Sequence, residues 1–190
     1  TTMKTYSLQL ADNQLITYQD RKRHLWLLSM LYPLLALSGV GLYLVTGSQW
    51  LLLTPLVSIY GGASLFDWLL GIDKSNPPEE LVPQLEEDPY YRWLPMLTVP
   101  LHVVVLVVIA GFTATHDLSW LSMLVLALTA GLYSGLAINT AHELGHKKTE
   151  LERRLARIAA GISLYGHFCI EHNRGHHRHV ATPEDPASSR

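Results

Sequence analysis

The chain has 190 residues, 48% of them hydrophobic and 16% charged, with a net charge of −2. That balance gives no reason to expect a nucleic-acid partner, and the single cysteine, Cys169, excludes an internal disulfide framework and a thiolate metal site. Length alone fits one domain or slightly more. The distribution is more informative: charge is absent from long stretches and crowded between them, and seven of the ten histidines fall between His142 and His179.

In chain order, an N-terminal segment (1–24) ends in Arg21-Lys22-Arg23, directly before the first apolar run. Four runs follow, at residues 25–45, 50–70, 93–112 and 118–138. Each has about 20 residues, enough for a helix to cross a hydrocarbon core of about 30 Å. A helix satisfies its own backbone hydrogen bonds, so it is the form such a run takes in lipid. Pro33, Pro55, Pro95 and Pro100 would count against soluble helices but are tolerated in membranes. Four such runs joined by tiny turns argue against buried helices of a water-soluble protein. Thr46-Gly47-Ser48-Gln49 and Thr113-Ala114-Thr115-His116-Asp117 carry no Lys or Arg; all 14 basic residues lie in the N-terminal segment, the loop 71–92, or after Ile138. By the positive-inside rule those three regions are cytoplasmic and the spans form two hairpins in the inner membrane. No cleavable signal peptide is expected, because the first run begins late and is too long. Asp67, inside the second run, is expected to face the bundle interior.

The loop 71–92 is predicted to be ordered, with a helix starting at Asn76-Pro77-Pro78-Glu79-Glu80 and Asn76 as its N-cap. After Ile138, Leu151, Leu155, Ile158, Ile162 and Tyr165 recur at helical spacing while Arg153, Arg154 and Arg157 occupy another face. That pattern predicts a helix lying at the cytoplasmic interface. The predicted fold is an all-α polytopic membrane protein: a transmembrane region (25–138), and a cytoplasmic or interfacial region (139–190) that carries the histidines.

Those histidines form two clusters. His142-Glu143-Leu144-Gly145-His146 places two imidazoles four residues apart, on one helical face. Glu171-His172-Asn173-Arg174-Gly175-His176-His177 repeats the spacing with His172 and His176, whereas His177 is turned about 100° from its neighbour and would address a different point. Imidazole suits iron, copper, zinc and nickel alike. Each ligating histidine needs its other nitrogen oriented, and Glu143, Glu171, Asn173 and Asp185 are near enough in sequence to serve. His24, His102, His116 and His179 are read as solvated or capping residues, and His167 as an orienting one. His142 to His146 also matches H-E-x-x-H, the zinc-protease motif, but that chemistry leaves His172, His176 and His177 without a role. A histidine-rich metal-transport or metal-sensing protein is a further alternative, weakened because its ligands would be expected along a transmembrane path.

At these residues the chain resembles the membrane-bound alkane 1-monooxygenases, relatives of the fatty-acid desaturases and of the xylene monooxygenase hydroxylase. The resemblance runs through Asn139-Thr140-Ala141-His142-Glu143-Leu144-Gly145-His146-Lys147-Lys148, Tyr165-Gly166-His167-Phe168, the second cluster, and Val180-Ala181-Thr182-Pro183-Glu184-Asp185-Pro186-Ala187. It extends upstream to Asn76-Pro77-Pro78-Glu79-Glu80, Tyr90-Tyr91-Arg92 and Leu97-Thr98-Val99-Pro100. It implies a non-haem centre of two iron ions, held by His142, His146, His172, His176 and His177. It also implies O₂, an alkane substrate, and electrons from rubredoxin with its reductase upstream; desaturation and aryl-methyl hydroxylation are the near variants. The family's pattern continues beyond this region, and five imidazoles fall short of two sites wanting at least four donors each. This polypeptide alone is therefore expected to be inactive, the rest coming from a missing C-terminal half or a second chain.

An alkane has no polar handle, so a hydrophobic channel must hold its end beside the metals. Ile59, next to Gly61-Gly62-Ala63-Ser64, is the candidate lining residue. Lys147, Lys148, Arg153, Arg154 and Arg157 could meet an acidic rubredoxin or anionic lipid. The di-iron reading requires His146 and His176 to converge on one centre.

Overall fold

The structure is a computed structural model that describes residues 3–73, 75–185 and 187; Pro186, within the last matching stretch, lies outside them. Four helices are long and apolar enough to cross a membrane: Arg23–Thr46, Gln49–Leu70, Pro89–Thr115 and Trp120–Gly145. The chain is an integral membrane protein, predominantly helical. Its third and fourth spans begin or end several residues beyond their apolar runs, and the last turn of the fourth carries His142.

The first two spans are composites. Proline removes a backbone donor and crowds the preceding turn. Accordingly Tyr32–Leu37, with Pro33 near its start, and Gln49–Leu53, ahead of Pro55, are 3₁₀ stretches. Ser58–Gly62 is a π turn, where the hydrogen bonds run from i to i+5. The third span accommodates both Pro95 and Pro100 within one continuous helix. At Gly39 the first span meets the second so closely that an added Cβ would lie 2.9 Å from the Leu52 carbonyl oxygen. Small residues permit such approaches between membrane helices.

The core between the spans is formed by Ala36 and Val40, Leu52, Val105, Ile109 and Phe112, and Val125, Leu126 and Tyr133. His102 departs from its predicted role. It is neither solvated nor a cap, but 2% exposed and hydrogen-bonded through Nε2 to the Tyr32 hydroxyl at 2.8 Å. All five tryptophans are exposed and sit near span ends. Trp26, Trp68 and Trp93 lie at one end of the bundle and Trp50 and Trp120 at the other, the arrangement of an interfacial aromatic belt.

Three local expectations are corrected. The N-terminal segment contains an antiparallel hairpin, Lys4–Gln9 paired with Leu15–Asp20, which the all-α expectation missed. It is fastened to the loop by Asp88, which accepts from Lys4 at 2.8 Å, Tyr6 at 2.5 Å and Arg23 at 2.6 Å. The loop helix starts at Glu79, not Asn76, and Asn76 is no cap; consecutive prolines hold the residues before them extended. Asp67 is exposed on Ala63–Leu70, a helix with no buried residue, because the second span turns no face of that end into the bundle.

Candidate metal centre

Ser119 caps the fourth span, which then runs unbroken to Gly145. His142 and His146 therefore leave the same face at its end, with ring centroids 4.8 Å apart. A new helix, Glu150–Ile162, begins at once. Thr149 and Glu152 form a reciprocal capping box, and Arg92 donates to Glu152 at 2.8 Å, tying this helix to the third span. The face it buries is Glu152, Ala156, Ala159 and Ala160, against Met96, Val99, Ala141 and Leu144. Of the apolar stripe seen in the sequence, Leu155 only borders this face, half-buried against the same cluster.

The helix ends with Leu164 in the left-handed region, φ 59°, and with Tyr165 N–H donating to the Ala160 carbonyl. This is a Schellman closure with leucine where glycine is usual. The reversal brings residues 168–179 back beside the fourth span. Asn173 Nδ2 donates to the Gly145 carbonyl at 3.3 Å, and a Cβ on Gly145 would lie 3.6 Å from Cys169 Sγ.

The returning segment decides the geometry. Glu171–His176 is a π turn. In a π turn residues five apart come together, so His172 faces His177, with 3.0 Å between their Nε2 atoms. Ring centroids are 4.3 Å apart for His142 and His172, and 4.8 Å for His146 and His177. The ligand nitrogens of His142, His146, His172 and His177 all lie within 4.8 Å of one another. Donors on one ion with bonds of about 2.1 Å are separated by about 3–4 Å, so small ring rotations suffice to close this group on a metal. Burial, then the neighbouring His142 and His177, push the His172 imidazole down to about 4. It is neutral at pH 7, the form that ligates. Burial lowers His146 as well.

His176 is not in this group. Its Nδ1 lies 3.0 Å from both oxygens of Asp185. The convergence of His146 with His176, set above as the requirement of the di-iron reading, is not found; His146 shares its centre with His142, His172 and His177 instead. Glu171 accepts from Tyr165 at 2.5 Å and lies 3.3 Å from His167 Nε2. Glu143 is exposed and, among the described residues, makes no hydrogen bond to a histidine.

The fatty acid desaturase family matches residues 118–190, the stretch that carries both histidine clusters. Alkane 1-monooxygenase 1 of Alcanivorax borkumensis is 51% identical over 95% of this chain. The alkane 1-monooxygenases of Ectopseudomonas oleovorans and Pseudomonas putida are 49% and 47% identical over 91% of it. This chain is a homologue of the alkane 1-monooxygenases. It spans 43–44% of the length of those relatives.

In this alkane 1-monooxygenase homologue, Tyr165 and the Asn173–Gly145 bond are the contributors that sequence reasoning left without a contact. Tyr165 stood as a periodic apolar position and as part of the Tyr165-Gly166-His167-Phe168 resemblance, and Asn173 as a partner of a histidine. Asp185, expected among the orienting groups, lies beside His176, both its oxygens 3.0 Å from Nδ1. Ile59 sits in the π turn of the second span, half-buried against the core cluster.

Proposed function

We propose that this chain is the histidine-bearing part of a membrane oxygenase that converts alkanes to primary alcohols at a centre of two iron ions. The observation that carries the reading is the convergence of four imidazoles from two segments at the end of the fourth span. His142, His146, His172 and His177 would hold one ion. His176, whose Nδ1 lies against Asp185, would offer its other nitrogen to a second, in the carboxylate–histidine arrangement that orients metal ligands. His167 and Tyr165 steady Glu171 behind this segment.

When bound, the metals supply activation of O₂. One oxygen atom enters the terminal C–H bond and the other leaves as water, with two electrons and two protons consumed. The chain's own task is to deliver and hold a molecule with no polar handle. The spans keep water from the path, and Ile59 lines it. The histidine end faces the cytoplasm, as the distribution of basic residues supports. Arg153, Arg154 and Arg157 offer an acidic rubredoxin a cationic surface, and further donors to the second iron come from the remainder of the enzyme. A zinc-protease reading of His142 to His146 fits less well: four imidazoles leave little room for substrate, and Glu143 points outward.

Metal analysis of the intact purified enzyme tests the centre. About two irons per molecule are expected; a single zinc would discard the reading. Product analysis on an alkane series, with rubredoxin and its reductase supplied, tests the reaction. Ile59→Trp is expected to shorten the longest alkane accepted, and an unchanged profile would remove Ile59 from the channel.

A further inference from the structure

The helix Glu150–Ile162 has three distinct faces. At about 100° per residue, Glu152, Ala156, Ala159 and Ala160 form the buried face against the spans. Roughly a third of a turn to one side lie Leu151, Leu155, Ile158 and Ile162; Leu151 and Ile158 are 50% and 48% exposed. To the other side lie Arg153, Arg154 and Arg157, all exposed and all paired with Glu150. Leu155 and Ile162 are half-buried, Leu155 against the cluster of the spans, so the open part of the stripe is Leu151 and Ile158.

Depth decides what meets that stripe. The helix packs on Met96 and Val99, three and six residues further into the third span than Trp93. Those steps correspond to about 5 and 9 Å along the span, on the hydrocarbon side of the tryptophan belt. Trp93 and Leu97 on the same span are themselves exposed apolar side chains at this depth. Just beyond the helix is Leu164, a leucine 93% exposed and held at positive φ.

We propose that Glu150–Ile162 is an in-plane membrane helix whose open apolar edge, Leu151 and Ile158, is seated in the lipid leaflet. Its arginine face is thereby turned toward water and headgroups. The helix thus acts as a float that holds the second histidine segment at a fixed level. This seating follows from the spans alone and is independent of the oxygenase reading.

Site-directed nitroxide labelling tests it, using the intact enzyme in phosphatidylethanolamine–phosphatidylglycerol vesicles and a Cys169→Ala background. A label at Ile158→Cys is expected to collide severalfold more with lipid-soluble O₂ than with a water-soluble nickel chelate, and a label at Arg154→Cys to show the reverse. Leu151→Cys repeats the apolar arm should Ile158→Cys fold poorly. Equal behaviour at the two faces would overturn the proposal. So would shielding of the apolar labels from both reagents, which would mean that protein covers the stripe.

Discussion

Neighbouring histidines do different work here. His177 is one of four nitrogens gathered on a single point, whereas His176 is held from behind by a carboxylate. His177→Ala is expected to weaken the metal held by the four-imidazole group. On the proposed two-ion reading, Asp185→Asn should leave that metal in place and loosen the one assigned to His176, by about 10–100-fold in affinity, the usual effect of removing an orienting partner. Titrating metal into the apo-enzyme variants and counting tightly held ions separates the two. Leu164 makes a different prediction. A non-glycine residue in the left-handed region costs about 1–2 kcal/mol, so Leu164→Gly should raise the thermal midpoint of the detergent-solubilised protein.

Of the described glycines, Gly39 sits tightest against another element, beside Leu52. An alanine there would place its Cβ 3.0 Å from the Leu52 Cα and from Pro55 Cδ as well. Since two of the three neighbours are backbone, the first hairpin would have to open. Gly39→Ala is expected to destabilise it by about 1–3 kcal/mol, read as a lowered midpoint without loss of secondary structure. The spans themselves were legible because a run of about 20 apolar residues has one solution in lipid. The partnership of His172 with His177 was not, since a 3.6-residue period pairs His172 with His176 and a π turn has no signature in that period. The alanine face of Glu150–Ile162 was overlooked for a related reason. Leucines dominate any hydropathy pattern, while close packing on a membrane helix favours small side chains. The N-terminal hairpin was hidden by its polarity, although Asp12 and Asn13 at its turn, with Asn13 at φ 64°, are a turn signal.

At the scale of the molecule, Asp88 joins the hairpin, the first span and the third. The Arg23 guanidinium beside it holds its carboxyl well below the usual carboxylate range. A depressed folded-state value means that the stabilisation is complete above the unfolded value of about 3.9 and fades as pH falls below it. Docking of the hairpin should therefore survive mild acid and fail only below pH about 4, as followed by protease cleavage near Leu10. Asp88→Asn should weaken docking by about 2 kcal/mol at neutral pH. The aromatic belt has a consequence of its own. From Trp120 to His142 the fourth span advances 22 residues (142 minus 120), about 33 Å, against a hydrocarbon thickness of about 30 Å. The span is a ruler matched to one membrane. In bilayers of longer-chain lipids, hydrophobic mismatch would draw this end of the span, with its imidazoles, deeper beneath the headgroups.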